Sequence, residues 1–104
     1  MKDLGALMKQ AQAMQEKLTE AQARLAETVA DGVAGAGMVK VTLKGSGALI
    51  AVAIDPELLK EGEGEVLGDL LIAAHADAKR KLDAAQTEAM QAIAGPFGGL
   101  PGFA

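Results

Sequence analysis

The sequence has no cysteine, no tryptophan and no tyrosine, and its two phenylalanines, Phe97 and Phe103, both stand near the end. Without cysteine there is neither a disulfide framework nor a thiolate metal site, and nothing implies an oxidising compartment. Without a row of aromatics there is no platform on which single-stranded bases could stack. No apolar run approaches the roughly 20 residues needed to cross a bilayer, and the N-terminus lacks the continuous apolar segment of a secretory signal. A cytoplasmic address with no membrane partner is expected. The single histidine, His75, has no serine or cysteine nucleophile close to it in sequence, and a metal site there would need further ligands from scattered carboxylates. The expectation is therefore a protein that is not an enzyme, with no catalytic residues, no metal, no cofactor and no small-molecule substrate.

What the chain does have is two long helical patterns. In residues 1–25 apolar side chains fall at Leu4, Leu7, Ala11, Met14, Leu18, Ala21 and Leu25, in steps of three and four. This heptad seam is too narrow for a solitary helix and needs a partner, either a later helix or a second copy. Glu20 and Arg24 stand in the favourable order for a helix pair. A second helix is expected from Glu65 to about Ala94, with apolar positions at Leu67, Leu71, Ala74, Ala78, Leu82, Ala85, Ala89 and Ile93. That spacing is nearer an eleven-residue repeat, which predicts a straight or slightly right-handed course. Val66, Leu70 and Ile72 widen its apolar face at the start, where it is expected to pack on a sheet; Gly95-Pro96 stops it.

Between the helices the period changes to two. Val29 and Val33 give a weak alternation, Val39, Val41 and Leu43 a clear one, and Ile50, Val52 and Ile54 a third. Glycine-rich turns at residues 34–37 and 45–47 join these runs into a three-stranded antiparallel meander. Leu49, Ala51 and Ala53 give the third strand a second apolar face, suited to a neighbouring chain. Asp55-Pro56-Glu57 reads as the cap and first turn of a short helix. The expected fold is α+β: long N-terminal helix, three-stranded antiparallel β-meander, short helix and long C-terminal helix, dimeric with projecting helices. Residues 1–94 are expected to form a single α-β-β-β-α domain, and residues 95–104 a flexible Gly/Pro-rich tail. With so much alanine and so few aromatics, the chain buries little area per residue, which favours a homodimer.

The net charge is −4, but it is unevenly spread. Residues 55–66 hold Asp55, Glu57, Glu61, Glu63 and Glu65 against Lys60, whereas residues 1–25 set Lys2, Lys9, Lys17 and Arg24 against Asp3, Glu16 and Glu20. The acidic stretch reads as capping and solubilising. Lys79-Arg80-Lys81 is the one compact basic run; taking Ala78 and Leu82 as the buried side, Arg80 points directly away. Such a run is either an ordinary solvated face or a set of phosphate contacts, which need flexible surface cations and no special geometry. The glycines at 32, 35 and 37 do not have the spacing of a nucleotide-binding loop and precede a strand rather than a helix.

Four blocks, Leu7–Lys17, Gly35–Gly45, Ile54–Leu59 and the closing Leu100-Pro-Gly-Phe103, resemble in order and spacing the YbaB/EbfC family of bacterial nucleoid-associated proteins. The resemblance implies an α-β-β-β-α organisation, a tweezer-shaped homodimer with helices projecting from a joined β body, and non-enzymatic binding of double-stranded DNA. It also implies an address at the nucleoid and an influence on nucleoid organisation or gene expression. Carried onto this chain, the DNA-binding candidates are Lys2, Lys9, Lys17, Arg24, Lys79, Arg80 and Lys81, contacting mainly phosphates with little sequence preference. The dimer-interface candidates are Leu4, Leu7, Ala11, Met14, Leu18, Leu49 and Ala51. The competing class is a protein-interaction or assembly module, for instance a DNA-repair accessory, whose contact with DNA is incidental.

Overall fold

The computed structural model describes residues 2–94, apart from the side chains of Lys2 and Ala94. Helix α1 spans Lys2–Glu27, strands β1, β2 and β3 span Val29–Ala34, Val39–Lys44 and Leu49–Ile54, a 3₁₀ turn covers Pro56–Leu59, and helix α2 spans Gly64–Ala94. The strands form one antiparallel sheet in the order β1-β2-β3, with an irregularity between Thr42 and Leu43. The alternation in each short run supplies the strands. The first turn is made by Gly35, Ala36 and Gly37 at φ of 63°, 54° and 90°, a left-handed stretch that explains two of the glycines. The expected tail lies outside the described residues.

Helix α2 lies across β1 and β2, and the core forms there: Val39, Val41 and Leu43 from the middle strand, Ala74 and Ala78 from the helix, and Leu58 from the 3₁₀ turn. Asp55 caps that turn by accepting from the Glu57 N–H at 2.9 Å, as the Asp-Pro-Glu order implied.

The inward face of β1 differs from the apolar face expected from Val29 and Val33. Both valines are exposed. Register pairs Ala30 with Leu43, Gly32 with Val41 and Ala34 with Val39, so the small residues face the helix. The reason is close approach. A Cβ on Gly32 would sit 2.8 Å from Ala78 Cβ and closer still to the Ala74 carbonyl and the Ala78 nitrogen. The backbones of β1 and α2 meet here with no room for a side chain.

Two further expectations are corrected. Val66 and Ile72 do not widen the packed face of α2; both are exposed, Ile72 at 72%, while Leu70 of the same group does pack on the core. Glu20 and Arg24 do not come within ion-pair distance; the ion pairs among the described residues lie elsewhere.

The two helices meet only near one end. Leu25 and Thr28 share a groove with His75, Lys79 and Leu82, and Ala21 and Leu25 share the next with Ala85, Ala89 and Ile93. As α1 runs backward α2 runs forward, so they are antiparallel. The rest of α1 projects, and the molecule measures 74 × 25 × 15 Å. Its Cα radius of gyration is 20.3 Å, against about 13 Å for a compact chain of this size. The C-terminal end of α1 is fixed by the β2–β3 turn: Ser46 N–H donates to the Ala26 carbonyl and Gly45 N–H to that of Thr28. A Cβ on Gly45 would collide with the Leu25 carbonyl.

Candidate nucleic-acid interface

One acidic cluster is confined to one end of the sheet, while the helical arm mixes cations with Asp3, Glu16, Glu20 and Glu27. The 3₁₀ turn and the start of α2, with Glu57, Glu61, Glu63, Glu65 and Asp69, lie at the end of the sheet where Asp55 N–H donates to the Met38 carbonyl. The helical arm leaves from the opposite end, beside the β2–β3 turn. On that arm Lys9, Lys17 and Arg24 are exposed, and among the described residues none of the three is within ion-pair distance of a carboxylate. The side chain of Lys2 lies outside the described residues.

The basic run on α2 splits into two. Arg80 and Lys81 turn toward the outer edge of β1, where both meet Asp77: Arg80 Nη2 at 3.0 Å from Oδ1 and Lys81 Nζ at 3.3 Å from Oδ2. Lys81 also donates to the Asp31 carbonyl at 2.7 Å. Asp77 in turn accepts from the backbone N–H of Val33 at 3.0 Å. That N–H, followed by the two cations, holds the Asp77 carboxyl below the usual carboxylate range. Even so, Arg80 keeps 71% and Lys81 52% of its side chain exposed, so each can shift toward an anion outside. Lys79 takes the other flank. It lines a groove of about 280 Å³ with His75, Gln86 and the Gly45–Gly47 turn, and pairs with no carboxylate among the described residues.

The arrangement therefore offers exposed, mostly unpaired cations along two helices, with Lys79 beside an open groove. No three His, Asp or Glu groups gather as a metal site among the described residues.

A family model described as the YbaB/EbfC DNA-binding family matches residues 1–97. The chain belongs to that family. The YbaB/EbfC relatives include a nucleoid-associated protein of Caulobacter vibrioides, 66% identical over 99% of this chain and 98% of its own length. Another, from Phenylobacterium zucineum, is 61% identical over 99% of this chain and 96% of its own. An uncharacterized protein of Helicobacter pylori, seen in a crystal structure, shares the fold with a TM-score of 0.67 at 22% identity; the match covers 89% of this chain and 95% of that one. YbaB/EbfC membership agrees with the four sequence blocks and the α+β order.

Of the dimer-interface candidates, Leu4, Leu7, Ala11, Leu49 and Ala51 are exposed and Met14 and Leu18 half-buried, so all seven offer surface. They fall in two places: five on the projecting part of α1, two on β3. The sequence signal missed Ile50 and Val52, which are also exposed although Val52 shares the face of buried Val41. Alternation placed Ile50, Val52 and Ile54 on one inward face, but of the three only Ile54 packs against the core, because α2 lies over β1 and β2.

Proposed function

We propose that this chain acts as a homodimer that holds double-stranded DNA at the nucleoid, mainly through phosphates and with little sequence preference, and so influences nucleoid organisation or gene expression. The observation that carries this reading is the confinement of an acidic cluster to one end of the 74 Å axis. Lys9, Lys17, Arg24 and Lys79 stand unpaired among the described residues on the helices, while Asp55, Glu57, Glu61, Glu63, Glu65 and Asp69 gather against Lys60 at the far end of the sheet. A net charge of −4 then repels a polyanion mainly from that end. The exposed cations of these helices stand on long flexible side chains, which suits contact with phosphates, a chemistry that needs no fixed geometry. Support for the homodimer comes from β3, where Leu49, Ile50 and Val52 are all exposed on a six-residue strand; a contiguous apolar strand of this kind is a docking face.

The test is duplex binding by fluorescence anisotropy across a salt series, with mass measured by sedimentation in the same buffers. The logarithm of the affinity should fall linearly with the logarithm of salt, by about 0.9 per phosphate contacted, and scrambled duplexes should bind alike. A salt-independent isotherm, or a monomer at binding concentrations, overturns the reading. Association with cell proteins that survives nuclease treatment, with no binding to purified duplex, would favour the assembly-module alternative instead.

A further inference from the structure

Among the described residues Asp77 is the one carboxylate that Arg80 or Lys81 meets, and it meets both. Its own position is set by the backbone. Oδ2 accepts from the Val33 N–H at 3.0 Å on the outer edge of β1, and the side chain is only 20% exposed. A carboxylate anchored in this way stays in place while the two cations come to it. Arg80 stands three residues on and Lys81 four, with the acid first, the order that suits a helix pair. Lys81 has a further tie at the Asp31 carbonyl, 2.7 Å away. The Asp31 carboxylate is turned elsewhere: it accepts from Thr42 at 2.7 Å and lies 4.0 Å from Lys40. Asp77 alone therefore balances the two cations.

This arrangement bears on any polyanion that approaches α2. A cation displaces counterions from a duplex only when its own charge is free to replace them. Lys79 meets that condition, since no carboxylate lies within ion-pair distance of it among the described residues. Arg80 and Lys81 are exposed enough to move, but they must first leave Asp77. The carboxylate they leave stays where the Val33 N–H holds it, and its negative charge then faces the phosphate they have reached. Both effects weaken the contact.

We propose that Asp77 is a positioning residue for DNA contact: by holding Arg80 and Lys81 against the edge of β1, it keeps two of the three cations of the α2 basic run out of the set that meets phosphates. The inference rests on the reading that the chain holds duplex DNA through phosphates, and adds that its affinity is set below what the same cations would give unrestrained.

The test compares salt slopes of duplex binding, by fluorescence anisotropy, for the full chain and its variants. Asp77→Asn removes the charge and keeps a carbonyl oxygen for the Val33 N–H, so its far-UV spectrum should match the parent's. Its slope should steepen by about 0.9 for each cation released; at 0.1 M salt that is about 8-fold tighter binding per contact. Asp83→Asn takes one negative charge from an exposed position of the same helix that pairs with no cation among the described residues, and its slope should equal the parent's. Arg80→Ala and Lys81→Ala together should lower the parent's slope by less than one contact's worth, yet cancel the whole gain in the Asp77→Asn background. An unchanged Asp77→Asn slope, an equal rise in Asp83→Asn, a gain that survives the loss of Arg80 and Lys81, or a fall of two contacts' worth when those two are removed from the parent overturns the proposal and leaves phosphate binding standing. A parent whose binding ignores salt overturns that underlying reading, and this inference with it.

Discussion

Gly32→Ala should detach α2 from the sheet. The added methyl would lie 2.8 Å from Ala78 Cβ and nearer still to backbone atoms of Ala74 and Ala78. Carbon atoms rest at about 3.5 Å or more, so the helix must retreat by at least about 0.7 Å, and the obstacle is backbone rather than a side chain that can swing aside. That retreat opens a gap under Leu67, Leu70, Leu71 and Leu82, the residues packed around the core. A gap of that size forfeits a quarter to a half of each contact's attraction. Overpacking ordinarily costs about 1–3 kcal/mol; with no rotamer to relax, about 3 kcal/mol is expected. With a urea m-value of about 1–1.5 kcal/mol/M for a chain of this size, the midpoint should fall by about 2–3 M. The assay is helix loss by circular dichroism at fixed protein concentration, since tryptophan is absent. Gly68→Ala is the control: it lies in the same helix with nothing within 4 Å of the added Cβ, and should stabilise by about 0.5–1 kcal/mol. If Gly32→Ala unfolds within about 0.5 kcal/mol of the parent, the close approach of β1 and α2 does not exist as described.

Lys79→Ala should lower the salt slope of duplex binding by about one contact's worth, and by more than Arg80→Ala, because Arg80 already has Asp77 at 3.0 Å; equal slopes would refute the split of the basic run. The Asp77 carboxyl is more acidic folded than unfolded, so its contribution is present above the ordinary carboxylate pKa of about 3.9 and is lost as the pH falls through the lower folded value. Acid titration of Asp77→Asn should accordingly lack part of the stability loss seen in the parent below about pH 4. Val52→Lys, at an exposed position, should leave the far-UV spectrum intact while shifting the sedimenting species to monomer. Asp55→Ala should cost about 1 kcal/mol in urea denaturation through loss of its cap.

The elements were legible because their signals are local. Glycine pairs marked both turns of the meander, period two marked the strands, and Asp55-Pro56-Glu57 marked the 3₁₀ turn within the bounds observed. What could not be read depends on residues distant in sequence. That Gly32 faces α2 while Val29 and Val33 face away follows from Ala74 and Ala78, more than forty positions later; the alternation alone favours the larger residues. The exposure of Val66 and Ile72 has the same origin, since α2 crosses only two of the three strands. For the candidate interface, the cations could be named but not sorted. Whether Arg80 and Lys81 stand alone depends on Asp77 reaching the Val33 N–H, and that depends on which side of β1 is left open by β2.

Asp77 and Lys81 have one more consequence. By occupying the Val33 N–H and the Asp31 carbonyl, they guard two backbone groups on the outer edge of β1, and a strand laid there would have to displace both. Extension of the sheet is thereby disfavoured on that side. Two molecules that join along β3 would leave a third only the guarded edges, so the same contacts that steer pairing also discourage a growing fibre.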